Sequence, residues 1–147
     1  MTYEEAINTI TPGRYRHFKG KEYEVTGIAR HSETEEPMVV YRALYGDYGI
    51  WVRPARMWYE IVERDGKRCL RLCPTDRIGR IEQFERLFDA ATASPEPEKI
   101  AILEAYYTSG LWREDYEADE RGELPAGLKR GVLSQDALYD LLERSGR

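Results

Sequence analysis

Residues 59–72 have the sequence YEIVERDGKRCLRL, which contains the strongest turn signal of the chain. Asp65-Gly66 stands at its centre, and this pair tolerates the positive φ angles of a type I′ turn. The flanking runs, Tyr59–Arg64 and Lys67–Leu72, are therefore predicted to pair as a hairpin. So short a connection favours an antiparallel sheet, because parallel strands need a crossover of a dozen or more residues.

Strand-favouring aromatic and β-branched residues extend upstream from this hairpin as far as Arg14, in short runs separated by turn residues. Residues 12–73 are predicted to form a small antiparallel β domain, curled into a small barrel or a strongly bent sheet, with one helical turn near Pro54. Strands followed by one helical turn and a final strand resemble the layout of an SH3-like barrel. Residues 1–11 are predicted to form a short helix capped by Thr2.

After Pro74 the apolar residues recur three and four positions apart, which is typical of amphipathic helices. Residues 74–147 are therefore predicted to be a helical domain, and the fold class to be α+β. The predicted helix signals are a cap at Thr75 or Asp76, a second start at Ser94-Pro95 with an end at Gly110, an acidic segment at 111–120, and a last helix that starts at Ser134 and frays at Gly146.

The composition is that of a globular protein, with 41% apolar and 33% charged residues among 147. No run approaches the roughly 20 apolar residues of a membrane span, and the acidic start Met1–Glu5 lacks the apolar core of a secretory signal. Two cysteines are too few for a disulfide framework. We therefore expect a cytoplasmic protein that contacts no membrane.

Charge is distributed unevenly along the chain. Residues 1–73 carry 12 Lys/Arg and 11 Asp/Glu, whereas residues 74–147 carry 10 and 16. This balance excludes a protein whose whole surface binds nucleic acid. It leaves a local basic face on the β domain as the one part that could contact nucleic acid.

Several long motifs in the β domain resemble a known bacterial family. They are Pro12–Gly20, Ala29–Thr34, Val39–Gly46 and Trp51–Pro54, and together they resemble domain of unknown function 1653 over residues 12–73. Residues 76–147 are similar to domain of unknown function 4298, through Leu111–Glu120 and Leu128–Ser134. Neither resemblance implies an activity, a cofactor or a site residue.

Signatures of metal binding and catalysis are incomplete. Cys69 and Cys73 on one strand would lie about 13 Å apart, too far to share a zinc ion. A shared ion would require the strand to end before Pro74 and the chain to fold back. His31-Ser32-Glu33 lacks the cysteine motif of a zinc deaminase. The acidic run from Asp115 lacks the glycine and glutamate of a calcium loop, so it is interpreted as a solvated acidic helix. We expect no cofactor, no metal and no catalytic residue.

A ligand-binding surface is the favoured functional interpretation. The run His31–Thr34 is polar throughout, and arginines alternate with aromatic residues on the neighbouring strands. Arginine beside aromatic rings can hold a phosphate, stack on a base or cage a cation. The candidate site residues are His17, His31, Ser32, Glu33, Thr34, Tyr41, Arg42, Trp51 and Arg53.

Three functional hypotheses remain open on these residues. The leading one is a non-enzymatic module that binds a protein, small-molecule or nucleotide partner, joined to an acidic helical docking unit. The alternatives are a small hydrolase that uses His31 with Glu33, and a structural adaptor whose polar motif only holds the β domain together. In the second case Arg42 and Arg53 would simply pair with Glu24, Glu33 or Glu60 across strands.

Overall fold

The computed structural model describes residues 1–144, and the chain divides into two compact units, Met1–Gly79 and a second unit that begins at Arg80. The first unit contains one short helix and all the strands, and the second is helical. The predicted α+β class and the change from strands to helices near residue 74 are therefore confirmed.

The first unit is built on an antiparallel sheet of five strands in the order β4-β3-β2-β1-β7. Helix α1 packs against β2, and a single 3₁₀ turn at Ala55–Met57 follows β4. The bounds are α1 Tyr3–Thr9, β1 Gly13–His17, β2 Glu22–Arg30, β3 Pro37–Ala43, β4 Ile50–Pro54, β5 Ile61–Arg64, β6 Lys67–Leu70 and β7 Leu72–Pro74.

The predicted hairpin is confirmed as the pair β5–β6. Asp65 and Gly66 have φ angles of 54° and 76°, as a type I′ turn requires. The hairpin is shorter than predicted, however, because its second strand ends at Leu70 and the chain then leaves to form β7 beside β1. The result is an open sheet with a separate two-stranded hairpin, and the pairing does not show the SH3-like barrel that the strand layout suggested.

Aromatic rings fill the core of the first unit. Trp58 is fully buried and packs edge-to-face against Tyr15 and Tyr41, with both pairs of ring centroids 5.4 Å apart. Val25 and Val39 are buried on the same face of the sheet. We call this the inner face, and the side chains that alternate with it form the outer face.

The helices after the sheet are α2 Arg77–Ala93, α3 Pro97–Tyr107, α4 Gly110–Glu120 and α5 Gln135–Arg144. They belong to the second unit, except that the first turn of α2 lies before the unit boundary at Gly79. Asp76 caps α2 as predicted, accepting the N–H of Gly79 at 2.8 Å. The prediction at Ser94-Pro95 is wrong by two residues, because Pro97 is the proline at the start of α3. Gly110 begins α4 rather than closing α3. Fraying at Gly146 lies outside the described residues.

Helix α4 differs from the predicted solvated helix. Its Asp115 is fully buried, where it accepts hydrogen bonds from Arg80 and Tyr106. The phenyl ring of Phe84 stacks on Tyr106 with centroids 4.0 Å apart, so this polar cluster lies inside an aromatic core. None of the helices within residues 1–144 is long and apolar enough to cross a membrane.

Candidate functional site

The His31–Thr34 segment forms the turn between β2 and β3, and all four of its residues are exposed. The imidazole Nδ1 of His31 accepts the backbone N–H groups of Glu33 and Thr34 at 3.1 and 3.3 Å. His31 therefore stabilises the turn in the way that an Asx side chain does. The hydrolase hypothesis draws no support from this geometry, because the Glu33 contact to His31 runs through the backbone N–H.

His17 holds an equivalent position at the other end of the sheet. It ends β1, and its Nδ1 accepts the backbone N–H of Lys19 at 3.1 Å. Because β2 runs the length of the sheet between the two turns, the structure does not bring His17 and His31 together.

Arg42 lies on the outer face, away from the other candidate arginine. It stands opposite Glu24 on β2 and Ile50 on β4, and its guanidinium donates to the backbone oxygen of Tyr48 at 2.7 Å. Arg14 flanks Glu24 on the next strand, so charges alternate across this row. Arg42 therefore has a local structural role in the turn after β3.

The inner face brings four of the candidate residues together. Tyr41 stands opposite Trp51, and Arg53 stands opposite the buried Val39, so the three candidate side chains Tyr41, Trp51 and Arg53 point to the inner side of the sheet. His17 is on the same side, since it alternates with the buried Tyr15 along β1.

Arg53 and Arg71 converge on a single carboxylate above this face. The guanidinium of Arg53 donates to Glu60 at 2.6 Å and to the backbone oxygen of Met57 at 3.3 Å. The guanidinium of Arg71 lies 3.5 Å from the same Glu60 oxygen and makes no hydrogen bond within residues 1–144. Two cations thus face one anion, and Arg71 keeps donors that a ligand could use.

Tyrosine rings adjoin these charges. Tyr23 packs edge-to-face on Tyr41 and on Tyr45, with centroids 5.5 and 5.6 Å apart. The hydroxyls of Tyr23 and Tyr45 lie 2.8 Å apart. We call the whole set the arginine–tyrosine cluster; it comprises His17, Tyr23, Tyr41, Arg53, Glu60 and Arg71.

The charges of the cluster reach His17. Partial burial, followed by the positive charges of Arg71, Lys19 and Arg53, lowers the pKa of His17 below its ordinary value. Glu60 opposes this effect without cancelling it. His17 therefore senses both its partial burial and, to a smaller extent, the positive charges beside it.

Tyr23 is also perturbed by its surroundings. Burial and the hydrogen bond with Tyr45 raise the pKa of Tyr23 to about 12, against a smaller opposing effect of Arg71. The phenol consequently stays neutral at physiological pH and can donate or accept a hydrogen bond.

An open groove of about 490 Å³ begins beside Tyr45 at the same end of the sheet. The ammonium of Lys21 lies over the Tyr45 ring, 4.4 Å from its centroid. The groove is lined by Arg14, Gly20, Lys21, Glu22, Leu44, Tyr45 and Tyr48. The groove thus places a further cation, Lys21, and the ring of Tyr45 beside the cluster.

Metal binding finds no support among residues 1–144, where no group of three or more His, Cys, Asp or Glu side chains could hold an ion. The assumption that Cys69 and Cys73 share one strand is wrong, because they lie on β6 and β7. Within residues 1–144 neither cysteine is part of a disulfide.

Sequence reasoning missed the role of Arg71 and named Glu60 only as a pairing partner. Arg71 occupies the one-residue link between β6 and β7, where the chain changes sheets. Alternation along a single strand Lys67–Leu72 could not place its side chain, since that strand does not exist as predicted. The sequence feature that could have indicated this site is the excess of arginine over Asp and Glu in residues 53–72.

Fold and site together define a two-unit protein, in which an antiparallel sheet with a cationic cluster precedes an acidic helical unit. Residues 13–73 match the family described as protein of unknown function (DUF1653), and residues 79–147 match the domain of unknown function DUF4298. The chain belongs to the DUF1653 family and carries a DUF4298 domain after it, as the sequence motifs indicated.

One similar solved structure is a protein of the DUF1653 family from Bordetella bronchiseptica. It is 38% identical to this chain, and the match covers 45% of this chain and 87% of the other, with a TM-score of 0.42. No curated protein matches the sequence.

Proposed function

We propose that the first unit is a non-enzymatic binding module, and that its arginine–tyrosine cluster takes a small anionic ligand such as a phosphate-bearing nucleotide. One observation carries the proposal: Arg53 and Arg71 share the single carboxylate of Glu60, and Arg71 keeps unused donors. Guanidinium groups bind phosphate and carboxylate through paired, charge-assisted hydrogen bonds.

The excess of positive charge in the cluster favours an anionic ligand. Arginine near aromatic rings can bind an anion or a cation, but a cationic ligand here would be repelled by two guanidiniums and attracted by only one carboxylate. An anion would instead neutralise the positive charges that, after burial, lower the pKa of His17. The tyrosine rings offer a surface on which a planar group such as a base can pack.

We further propose that the helical unit docks onto a basic partner protein. We also propose that the protein is cytoplasmic. Helix α4 supports the docking role, because Glu114, Glu117 and Glu120 are exposed on it. Two cysteines that form no disulfide within residues 1–144 fit a reducing compartment.

Calorimetric titration of the full chain with pyrophosphate and with AMP tests the proposal. Arg71→Ala removes the guanidinium with unused donors and should weaken binding about tenfold, the value of one charge-assisted hydrogen bond. Arg16→Ala is the matched control, since Arg16 lies on the outer face and pairs with Glu22 at 2.9 Å. Its affinity should equal that of the wild type.

Two results would contradict the proposal. One is the absence of heat for both probes at millimolar concentration. The other is equal weakening by Arg71→Ala and Arg16→Ala, which would mean that the probes respond to net charge rather than to the cluster.

A further inference from the structure

Strand β4 is an edge of the five-stranded sheet, and its apolar part, Ile50–Val52, is uncovered within residues 1–144. It pairs with β3 on one side, and no strand within residues 1–144 pairs with its other side. Three consecutive large apolar residues of this edge are exposed: Ile50 at 59%, Trp51 at 58% and Val52 at 58%. Proteins usually protect such an edge with charges, prolines or a covering segment, because it offers unpaired backbone groups to another strand.

The direction of the backbone groups on β4 follows from a hydrogen bond at its start. The N–H of Ala43 donates to the oxygen of Gly49 at 3.0 Å, so Gly49 directs its carbonyl toward β3. Backbone groups alternate along a strand, hence those of Trp51 and Arg53 also point toward β3. Those of Ile50 and Val52 point outward to the free edge.

We propose that two copies of this chain pair through β4, antiparallel, about a twofold axis at Val52. In this register Val52 faces its own copy as a hydrogen-bonded pair, and each supplies one N–H and one C=O. The N–H of Ile50 meets the carbonyl of Pro54 on the other copy. Pro54 has no N–H to offer, which leaves four backbone hydrogen bonds across the axis.

The backbone of β4 allows more than one register of pairing, and contacts between side chains favour the register centred on Val52. Trp51 of each copy lies opposite Arg53 of the other, on the inner face, where a guanidinium and an indole attract each other. A shift by one residue pair toward Pro54 would set Arg53 against its own copy, and like charges directly opposite are unfavourable. A shift the other way would shorten the paired strand.

Pairing of this kind joins the two sheets into one of ten strands, isologous as a twofold contact requires. Because the inner-face residues Trp51 and Arg53 are cross-strand neighbours, both inner faces lie on the same side of the joined sheet. The inference stands on the edge geometry and does not depend on what the arginine–tyrosine cluster binds.

Sedimentation equilibrium of the full chain over a wide concentration range tests the pairing. The wild type should show a reversible dimer, and Val52→Lys should weaken dimerisation about tenfold or more, because two ammonium groups then oppose each other at the axis. Ile7→Lys is the control, since Ile7 is 48% exposed on α1 and away from β4. It should dimerise as the wild type does.

A disulfide crosslink between two copies provides a second test, which does not depend on whether Val52→Lys folds. In a background with Cys69→Ser and Cys73→Ser, Val52→Cys should form a symmetric disulfide on mild oxidation, since Cα atoms of such a pair lie about 5.5 Å apart. Ile7→Cys should not. A wild type that stays monomeric at high concentration, with no crosslink through Val52→Cys, would overturn the proposal and leave the edge to a different partner.

Discussion

Arg80 and Asp115 form a two-pronged ion pair inside the helical unit, with guanidinium nitrogens 2.8 and 2.5 Å from the two carboxylate oxygens. Arg80 is 5% exposed and Asp115 is fully buried. The hydroxyl of Tyr106 donates to the same carboxylate at 2.6 Å. Helix α4 is thereby tied to α2 and α3 through one acidic side chain.

We expect Asp115→Asn to lower the free energy of unfolding by about 3–5 kcal/mol, because Arg80 is then left buried without its counter-charge. Glu114→Gln, one residue earlier and exposed, should change it by less than about 0.5 kcal/mol. Urea unfolding followed by circular dichroism at 222 nm measures both. A loss below about 1 kcal/mol for Asp115→Asn would contradict the buried pair.

Glu85 should make the helical unit less stable as the pH rises. Its pKa lies above the ordinary value of 4.5, mainly because of burial, although the N–H of Val132 donates to it at 2.8 Å. Between 4.5 and the raised pKa the folded state holds a proton that the unfolded chain has lost, so stability falls across this window as pH increases.

Comparison with Glu85→Gln, which does not titrate, isolates this effect. The stability of the wild type relative to the variant should decline as pH rises through the folded pKa of Glu85, in urea unfolding at a series of pH values. A difference that stays constant with pH, or that grows in favour of the wild type, would be incompatible with a raised pKa.

The hairpin turn should tolerate no side chain at Gly66. Its φ of 76° is unfavourable for any residue with a Cβ, so Gly66→Ala should cost about 1–2 kcal/mol. Gly27 is the control, because it has no positive φ and a Cβ there meets nothing within 4 Å. Gly27→Ala should leave thermal stability unchanged or slightly raised. Equal effects of the two substitutions would refute the turn assignment.

His17 should titrate below its ordinary pKa of 6.5, because of burial and of the charges of Arg71, Lys19 and Arg53. Proton NMR of its ring measures this directly. Arg71→Gln should raise the pKa of His17, whereas Arg16→Ala should not alter it, since Arg16 does not contribute to the shift. An unchanged pKa in Arg71→Gln would show that Arg71 does not act on this site.

Local rules predicted much of this fold. Thr2 accepts the N–H of Glu5 at 3.1 Å as a helix cap, and the Asp65-Gly66 turn has the expected geometry, because both depend on neighbours in sequence. The strand and helix halves follow likewise from period and residue type.

What the sequence could not predict depends on contacts between distant residues. In the sequence Asp115 cannot be distinguished from its exposed acidic neighbours. It is buried because it pairs with Arg80, which lies 35 positions earlier in the chain. Arg71 joins the cluster only because β7 leaves the hairpin to pair with β1. His17 and His31 share a residue type but stabilise turns at opposite ends of the sheet, which sequence alternation alone does not reveal.

The most direct test of the anion-binding account is the pKa of His17 during titration of the wild type with pyrophosphate, followed by proton NMR. An anion held by Arg53 and Arg71 cancels the positive charge near the imidazole, so the pKa of His17 should rise and level off as the site fills. In Arg71→Ala the rise should require about tenfold more ligand. A pKa of His17 that does not change while pyrophosphate binds would place the ligand elsewhere and contradict the account.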